Sequence, residues 1–278
     1  MHDLVGDLAS LVLGEICFRL EDKLDHRCSL KTCHSSYILG KHDGVIKFEA
    51  FKEATHLRTF LPLTLSKDLF NFLTCKVTLD LLPRMEYLWV LSLNGYRIMQ
   101  LPDSIGKVKH LQYLDLTNTE ITSLPESIST LHSLQTLILD HCSRLKALPT
   151  NLRNLSNLRH LNNSNVPALE VMPAELGRLT NLQTLQTFVV GKESGLGISE
   201  IMGLLHLRGT LHLLRLENVL DVQDAMKANF VNKDGLDELV LEWSNKKEMK
   251  IDVLDSLQPH QNLQVLNIRR YGGLKFSP

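Results

Sequence analysis

Four residues in one short stretch, His26, Cys28, Cys33 and His34, are of types that hold zinc. Structural zinc sites draw such ligands from closely paired spacings, and this stretch has none. Adjacent Cys33 and His34 would also point to opposite faces if they lay in a strand. The stretch therefore reads as ordinary loop and strand, and no metal ligand is assigned. The five cysteines (Cys17, Cys28, Cys33, Cys75 and Cys142) are odd in number and include no CxxC pair. That argues against a disulfide framework and fits a reducing compartment.

Phosphate chemistry has one candidate, the run from Gly191 to Gly197. It lacks the GxxxxGK[ST] pattern, and Lys192 is followed by Glu193, whose charge would repel a phosphate. It reads as a surface loop. The histidines are scattered with no HExxH, and no serine sits in GxSxG. No catalytic residue is assigned, so the chain is expected not to be an enzyme.

The bulk numbers narrow the field further. With 278 residues, 44% hydrophobic and 22% charged, the chain can bury a large core. A formal net charge of −1 offers no basic field for nucleic acid. No apolar run approaches the ~18 residues of a membrane span. Asp3 and Asp7 stand where a secretory signal would be basic. A cytoplasmic protein is the expectation.

What must position any functional residue is a repeat. Leu88, Leu111, Leu134, Leu158 and Leu182 recur at steps of 23, 23, 24 and 24 residues, and Pro102, Pro125, Pro149 and Pro173 keep the same phase. Leu88, Leu111 and Leu134 open a full LxxLxL pattern, and the coils from Leu158 and Leu182 keep its first two leucines. The second and third leucines fit the inward side of a short strand, and the first closes the bend before it. The proline falls on the return path, where a missing N–H harms no sheet. Ile105, Ile128, Leu152 and Leu176 then cap each coil from the convex side. One coil cannot bury this apolar edge, so neighbours must stack.

The fold class is an α/β repeat, a leucine-rich-repeat solenoid with parallel strands on its concave face. Less regular coils extend it: Leu57–Phe60 upstream, followed by a helix through KVTLDLLPRM, and Leu211/Leu214/Leu216, Leu236/Leu239/Leu241 and Leu263/Leu266/Ile268 downstream. About nine coils result.

Two polar residues occupy third inward slots, Asn163 and Thr187. They should stack and satisfy each other or a trapped water, since an unpaired buried amide is costly. Three residues beyond the third slot stand Thr119, Cys142, Val166 and Ser244, where many repeats carry asparagine; Cys142 is expected to be a buried filler rather than a reactive thiol. The outward strand positions form the candidate partner surface: Trp89, Tyr113, Asp115, Asp140, His141, Arg159, His160, Arg215, Glu217, Asp237, Glu238, Glu242, Trp243, Arg269 and Arg270. Their mixed charge suits protein rather than nucleic acid, and aromatics and arginines are frequent anchors. For Trp89 and Trp243, packing along the sheet is an equal alternative.

At the start, Leu4, Leu8, Leu11 and Val12 share a helical face that Gly14 can end. Taken with the segments MHDLVGDLA, LPDSIGKVKHLQYLDL, LQTLILDHCSRLKALP, LQTFVVGKESGLGISE and LQPHQNLQVLNIRRYGGLKF, the chain resembles the coiled-coil class of plant nucleotide-binding leucine-rich-repeat disease-resistance proteins. The resemblance implies that residues 1–40 are the remnant of a winged-helix part of the nucleotide-binding domain, and 50–278 the repeat domain, incomplete at its end. It implies that His2 contacts the ADP β-phosphate in an intact receptor and that Asp3 braces that segment. The phosphate loop and magnesium motif would lie upstream, so no cofactor is expected in this chain, with ADP or ATP belonging to the intact family member.

The implied function is recognition and autoinhibition in an intracellular immune receptor. The partner would be a pathogen effector, a guarded host protein or the receptor's own nucleotide-binding domain, acting by population shift. A self-sufficient repeat adaptor that scaffolds other signalling proteins stays open as the alternative.

Overall fold

The computed structural model describes residues 16–20, 28–63, 71–193, 195–219, 221–244 and 251–272. Within the regular repeats, alternation places one apolar residue per strand on the same side. The strands β6 (Val90–Ser92), β7 (Tyr113–Asp115), β8 (Thr136–Ile138), β9 (His160–Asn162) and β10 (Thr184–Leu185) pair in parallel. Their register aligns Leu91, Leu114, Leu137, Leu161 and Leu185 in one buried row. Burying each leucine stabilises by about 1.5–3 kcal/mol before the cost of chain ordering. Pro102 and Pro125 stand in extended conformation just before 3-10 runs at Asp103–Lys107 and Glu126–Thr130. Proline is suited there because no helical bond needs its missing N–H. Ile105, Ile128, Leu152 and Leu176 are all buried at these turns.

The same sheet begins earlier than expected. Strands β1 (Cys17–Leu20), β2 (His34–Ile38) and β4 (Thr59–Leu63) precede β6 in an eight-stranded parallel order. Cys17–Leu20 and His34–Ile38 thus belong to the solenoid's sheet, although they fall in the 1–40 span assigned to a winged helix. Their signal is obscured because Tyr37, Phe48, Phe51 and Phe60 fill the core there in place of leucines. Residues 1–15, with His2 and Asp3, lie outside the described residues. KVTLDLLPRM forms a π-type turn over Val77–Leu81 and a 3-10 turn over Leu82–Arg84. A small pair, β3 (His42–Asp43) and β5 (Phe72–Leu73), sits beside it.

A second parallel sheet follows: β11 (Thr187–Val189), β12 (Arg208–Leu214), β13 (Gly235–Glu242) and β14 (Val265–Arg269). Because β10 and β11 share one coil, eleven coils are present among the described residues, two more than the repeat alone suggested. Between the sheets the backbone ladder breaks, and Asn163 stitches it. Its side-chain Nδ2 donates to the Thr187 carbonyl at 2.7 Å, and the Thr187 N–H donates to its Oδ1 at 3.0 Å. In earlier coils this slot holds Leu93, Leu116 and Leu139, whose own N–H groups bond the next strand. The expected pairing of the two buried polar residues is met, with the Thr187 main chain as the partner.

Register in the second sheet departs from the sequence reading in three places. The β12–β13 register shifts between Gly209, with φ of 76°, and Thr210: Gly209 pairs with Leu236 and Thr210 with Glu238, which leaves Asp237 as the extra residue in β13. An inserted residue exchanges the faces of a strand. Leu211 and Leu213 lie opposite the buried Leu239 and Leu241 and point inward with them, and Leu214 lies opposite Glu242. Trp243 continues the inward alternation of Leu239 and Leu241 and is fully buried, against the Tyr271 ring at 5.1 Å. Ser244 is exposed, its N–H held by Glu217 Oε2 at 3.0 Å. In the regular coils the filler row is as expected: Thr119, Cys142 and Val166 are buried, and the Cys142 thiol donates to the Leu116 carbonyl at 3.1 Å.

Candidate recognition face

The residue after each opening leucine forms a lateral row along one side of the concave face. Arg58, Trp89, Gln112, Gln135, Arg159, Gln183 and Arg208 follow one another, each N–H donating to the previous carbonyl at 2.7–2.8 Å. At the start of this row the Arg58 guanidinium lies over the Trp89 ring, 4.7 Å from its centroid, and both are exposed. Such a pair is already partly ordered, which lowers the entropy lost when it anchors a partner. Trp89 thus stays on the surface, whereas Trp243 is in the core and anchors nothing outside it.

One step into the face, Tyr113 is half-buried, and burial together with the Asp115 carboxylate pushes its phenol up. Asp115 itself is only 8% exposed. It accepts from Ser92 Oγ at 2.9 Å, from the Thr117 N–H at 2.9 Å and from Thr117 Oγ1 at 2.6 Å. Its charge is used internally, so it is corrected from a partner contact to a brace of the strand end. Burial, with Arg208 and Arg159 nearby, pushes the His160 imidazole down, while its Nδ1 meets Thr184 Oγ1 at 3.1 Å.

In the second sheet, Glu242 gathers three basic side chains. His212 Nε2 lies 3.0 Å away, Arg269 Nη1 at 3.6 Å and Arg270 Nη1 at 3.3 Å. Burial lowers the His212 pKa, and the opposing pull of Glu242 does not restore it. Beside it Glu238 accepts from Thr210 at 3.2 Å and Asn267 at 2.6 Å, and Asp237 accepts from Gln264 at 3.3 Å.

Four sequence-selected residues lie beyond the strand ends and off the face. Asp140 pairs with His141 at 2.9 Å and accepts from Asn165 at 3.1 Å. His141 has φ of 57°, in the turn position held by Gly95, Asn118 and Asn165 in neighbouring coils. Arg215 also has positive φ and donates to the Glu170 carbonyl at 2.6 Å, and Glu217 holds Ser244. Arg58 and Arg208 were missed on the face. Arg58 was legible as the repeat equivalent of Trp89; Arg208 and His212 were hidden by the shifted β12–β13 register.

Among the described residues, no three His, Cys, Asp or Glu side chains gather as a metal site, and no helix is long and apolar enough to cross a membrane. In the Gly191–Gly197 loop the Gly191 N–H donates to the Leu196 carbonyl at 2.8 Å.

Comparison with known proteins agrees with this architecture. The leucine rich repeat family model matches residues 86–145, and the R13L1/DRL21 LRRs model matches residues 198–278. Disease resistance protein At3g14460 of Arabidopsis thaliana is 40% identical over 99% of this chain, which covers 20% of that protein. Disease resistance RPP13-like protein 1 of the same plant is 38% identical over 99% of the chain, covering 27% of its length. Disease resistance protein RGA2 of Solanum bulbocastanum is 50% identical over 71% of the chain and 21% of its own length. The chain thus spans about a fifth to a quarter of these relatives. For fold alone, the internalin InlF of Listeria monocytogenes superposes with a TM-score of 0.54 at 16% identity, over 85% of this chain and 67% of that one. InlP of the same bacterium gives 0.51 at 18% identity, over 81% and 62%. Its repeats and its parallel-sheet solenoid make this chain a leucine-rich-repeat protein, and along 99% of its length it is similar to plant disease resistance proteins.

Proposed function

We propose that the concave face is the recognition surface of an intracellular plant immune receptor and docks a protein. The partner is a pathogen effector, a guarded host protein or the receptor's own nucleotide-binding domain, and docking shifts the receptor between resting and active populations. The observation that carries the reading is the exposed Arg58–Trp89 stack on the face of a disease-resistance relative. No chemistry is performed by the chain itself. ADP or ATP is bound upstream in the intact receptor, where His2 and Asp3 belong to the nucleotide switch.

Site-specific photo-crosslinking tests the docking face. A photoreactive residue in place of Trp89 or Gln112 is expected to trap a partner in challenged leaf tissue. The same group in place of Lys107, on the convex 3-10 run Asp103–Lys107, is expected not to. Equal adducts from both faces would contradict the reading. Calorimetry of the chain with ADP is expected to show no saturable heat.

A further inference from the structure

The two clusters of basic side chains on the concave face differ in one respect. In the second sheet His212, Arg269 and Arg270 converge on an internal carboxylate, Glu242. Where the two sheets meet, Arg159 and His160 of the first and Arg208 at the start of β12 in the second form a similar set with no such acceptor among the described residues. Gln183 sits between the two arginines in the backbone row, with the Arg208 N–H on the Gln183 carbonyl and the Gln183 N–H on the Arg159 carbonyl. Strands about 4.8 Å apart place the two arginine backbones roughly 10 Å from each other, within joint reach of one small group. Both arginines are exposed, and neither makes an ion pair among the described residues. Asp234 lines the same shallow hollow as Arg208 and Gln183 but stays outside ion-pairing distance.

We propose that Arg159 and Arg208, with His160, Gln183 and Thr184, form an oxyanion-binding site, and that its occupant is a carboxylate side chain of the docked protein. The proposal rests on the concave face being the docking face. The partner's carboxylate takes the place that Glu242 fills in the other cluster. Guanidinium groups bind carboxylates through two parallel hydrogen bonds, and the Gln183 amide and Thr184 hydroxyl add neutral donors. Burial first, and then the like charges of Arg208 and Arg159, disfavour the protonated His160 ring, and a bound anion offsets the charge part of that opposition.

The test follows the His160 ring by NMR in the 278-residue chain, titrating pH with and without glutarate or inorganic phosphate. Glutarate is expected to raise the His160 midpoint saturably, by about half a unit or more. Arg159→Gln with Arg208→Gln is expected to raise the midpoint without added ion and to abolish the response. Absence of saturation, or a response that survives in the double variant, overturns the site. Saturation by phosphate without glutarate overturns the carboxylate assignment in favour of a phosphoryl group. No protein partner is present, so failure here is distinguishable from failure of docking.

Discussion

Between Leu88 and Leu185 the strands are two or three residues long, and the chain returns through 3-10 turns. In β12 and β13 they run to seven and eight residues, and the returns carry the helices Val222–Lys227 and Ile251–Ser256. The short coils rely on their apolar rows: Leu91, Leu114, Leu137 and Leu161 are all fully buried. The long coils add hydrogen-bonded polar ladders across the face, Thr210–Glu238–Asn267 and His212–Glu242–Arg269. Their wider interior also holds groups the regular coils exclude, the Trp243 indole and the Lys233 side chain. The longer strands widen the concave face, and its charges are paired internally around Glu242. The short coils keep cations such as Arg159 unpaired among the described residues and so available to a partner.

The comparison breaks most sharply in the regular half. Leu137→Ala opens a cavity in a row with no polar support and is expected to cost about 2–5 kcal/mol in chemical denaturation. At the junction, Asn163→Leu restores the repeat pattern yet strands the Thr187 N–H and carbonyl. A loss of about 2 kcal/mol is expected, and a gain would show that the stitch is dispensable.

In the long coils, Lys233 has no exposed surface and donates to the Ile201 and Leu204 carbonyls at 2.8 and 3.0 Å. Burial pushes its pKa down from 10.5 to about 8. Between those values the unfolded chain binds more protons, so the Lys233 contribution to stability rises as pH climbs from about 8 to 10.5. Denaturation midpoints of the protein and of Lys233→Met across that window should therefore diverge, with the parent gaining. The smallest effect concerns the turn shared by Gly95, Asn118, His141 and Asn165. His141→Gly relieves a positive φ, with an expected gain of up to about 1 kcal/mol offset in part by loss of the Asp140 pair.

The regular coils were legible because one hydrophobic spacing, one proline phase and one strand register coincide there. Legibility failed where a different residue type did the same job. Tyr37, Phe48 and Phe60 stand for leucines in the first coils, which hid β1 and β2. In β12, Leu213 rather than Leu214 takes the inward slot opposite Leu241, which turned Leu214 outward and concealed His212. Trp243 was misplaced although Leu239 and Leu241 already set its parity. The buried network in which Asp43 binds Lys47 and the Tyr96 hydroxyl joins residues 53 positions apart, a separation no local pattern reports. On the face, Trp89 and Arg159 were readable as exposed repeat positions, but whether Asp115 was open or already satisfied depended on Ser92 in the neighbouring coil.

The central claim is that one continuous concave face runs through the change of coil type, held across the break by Asn163. Hydrogen exchange at the Thr187 amide tests it most directly. Protection close to that of the Leu116 and Leu139 amides, lost in Asn163→Leu, is the predicted result. Exchange as fast as at the exposed Lys192 amide would contradict it: Asn163 would not hold the break, and the coils would meet there only through the row of Arg159, Gln183 and Arg208.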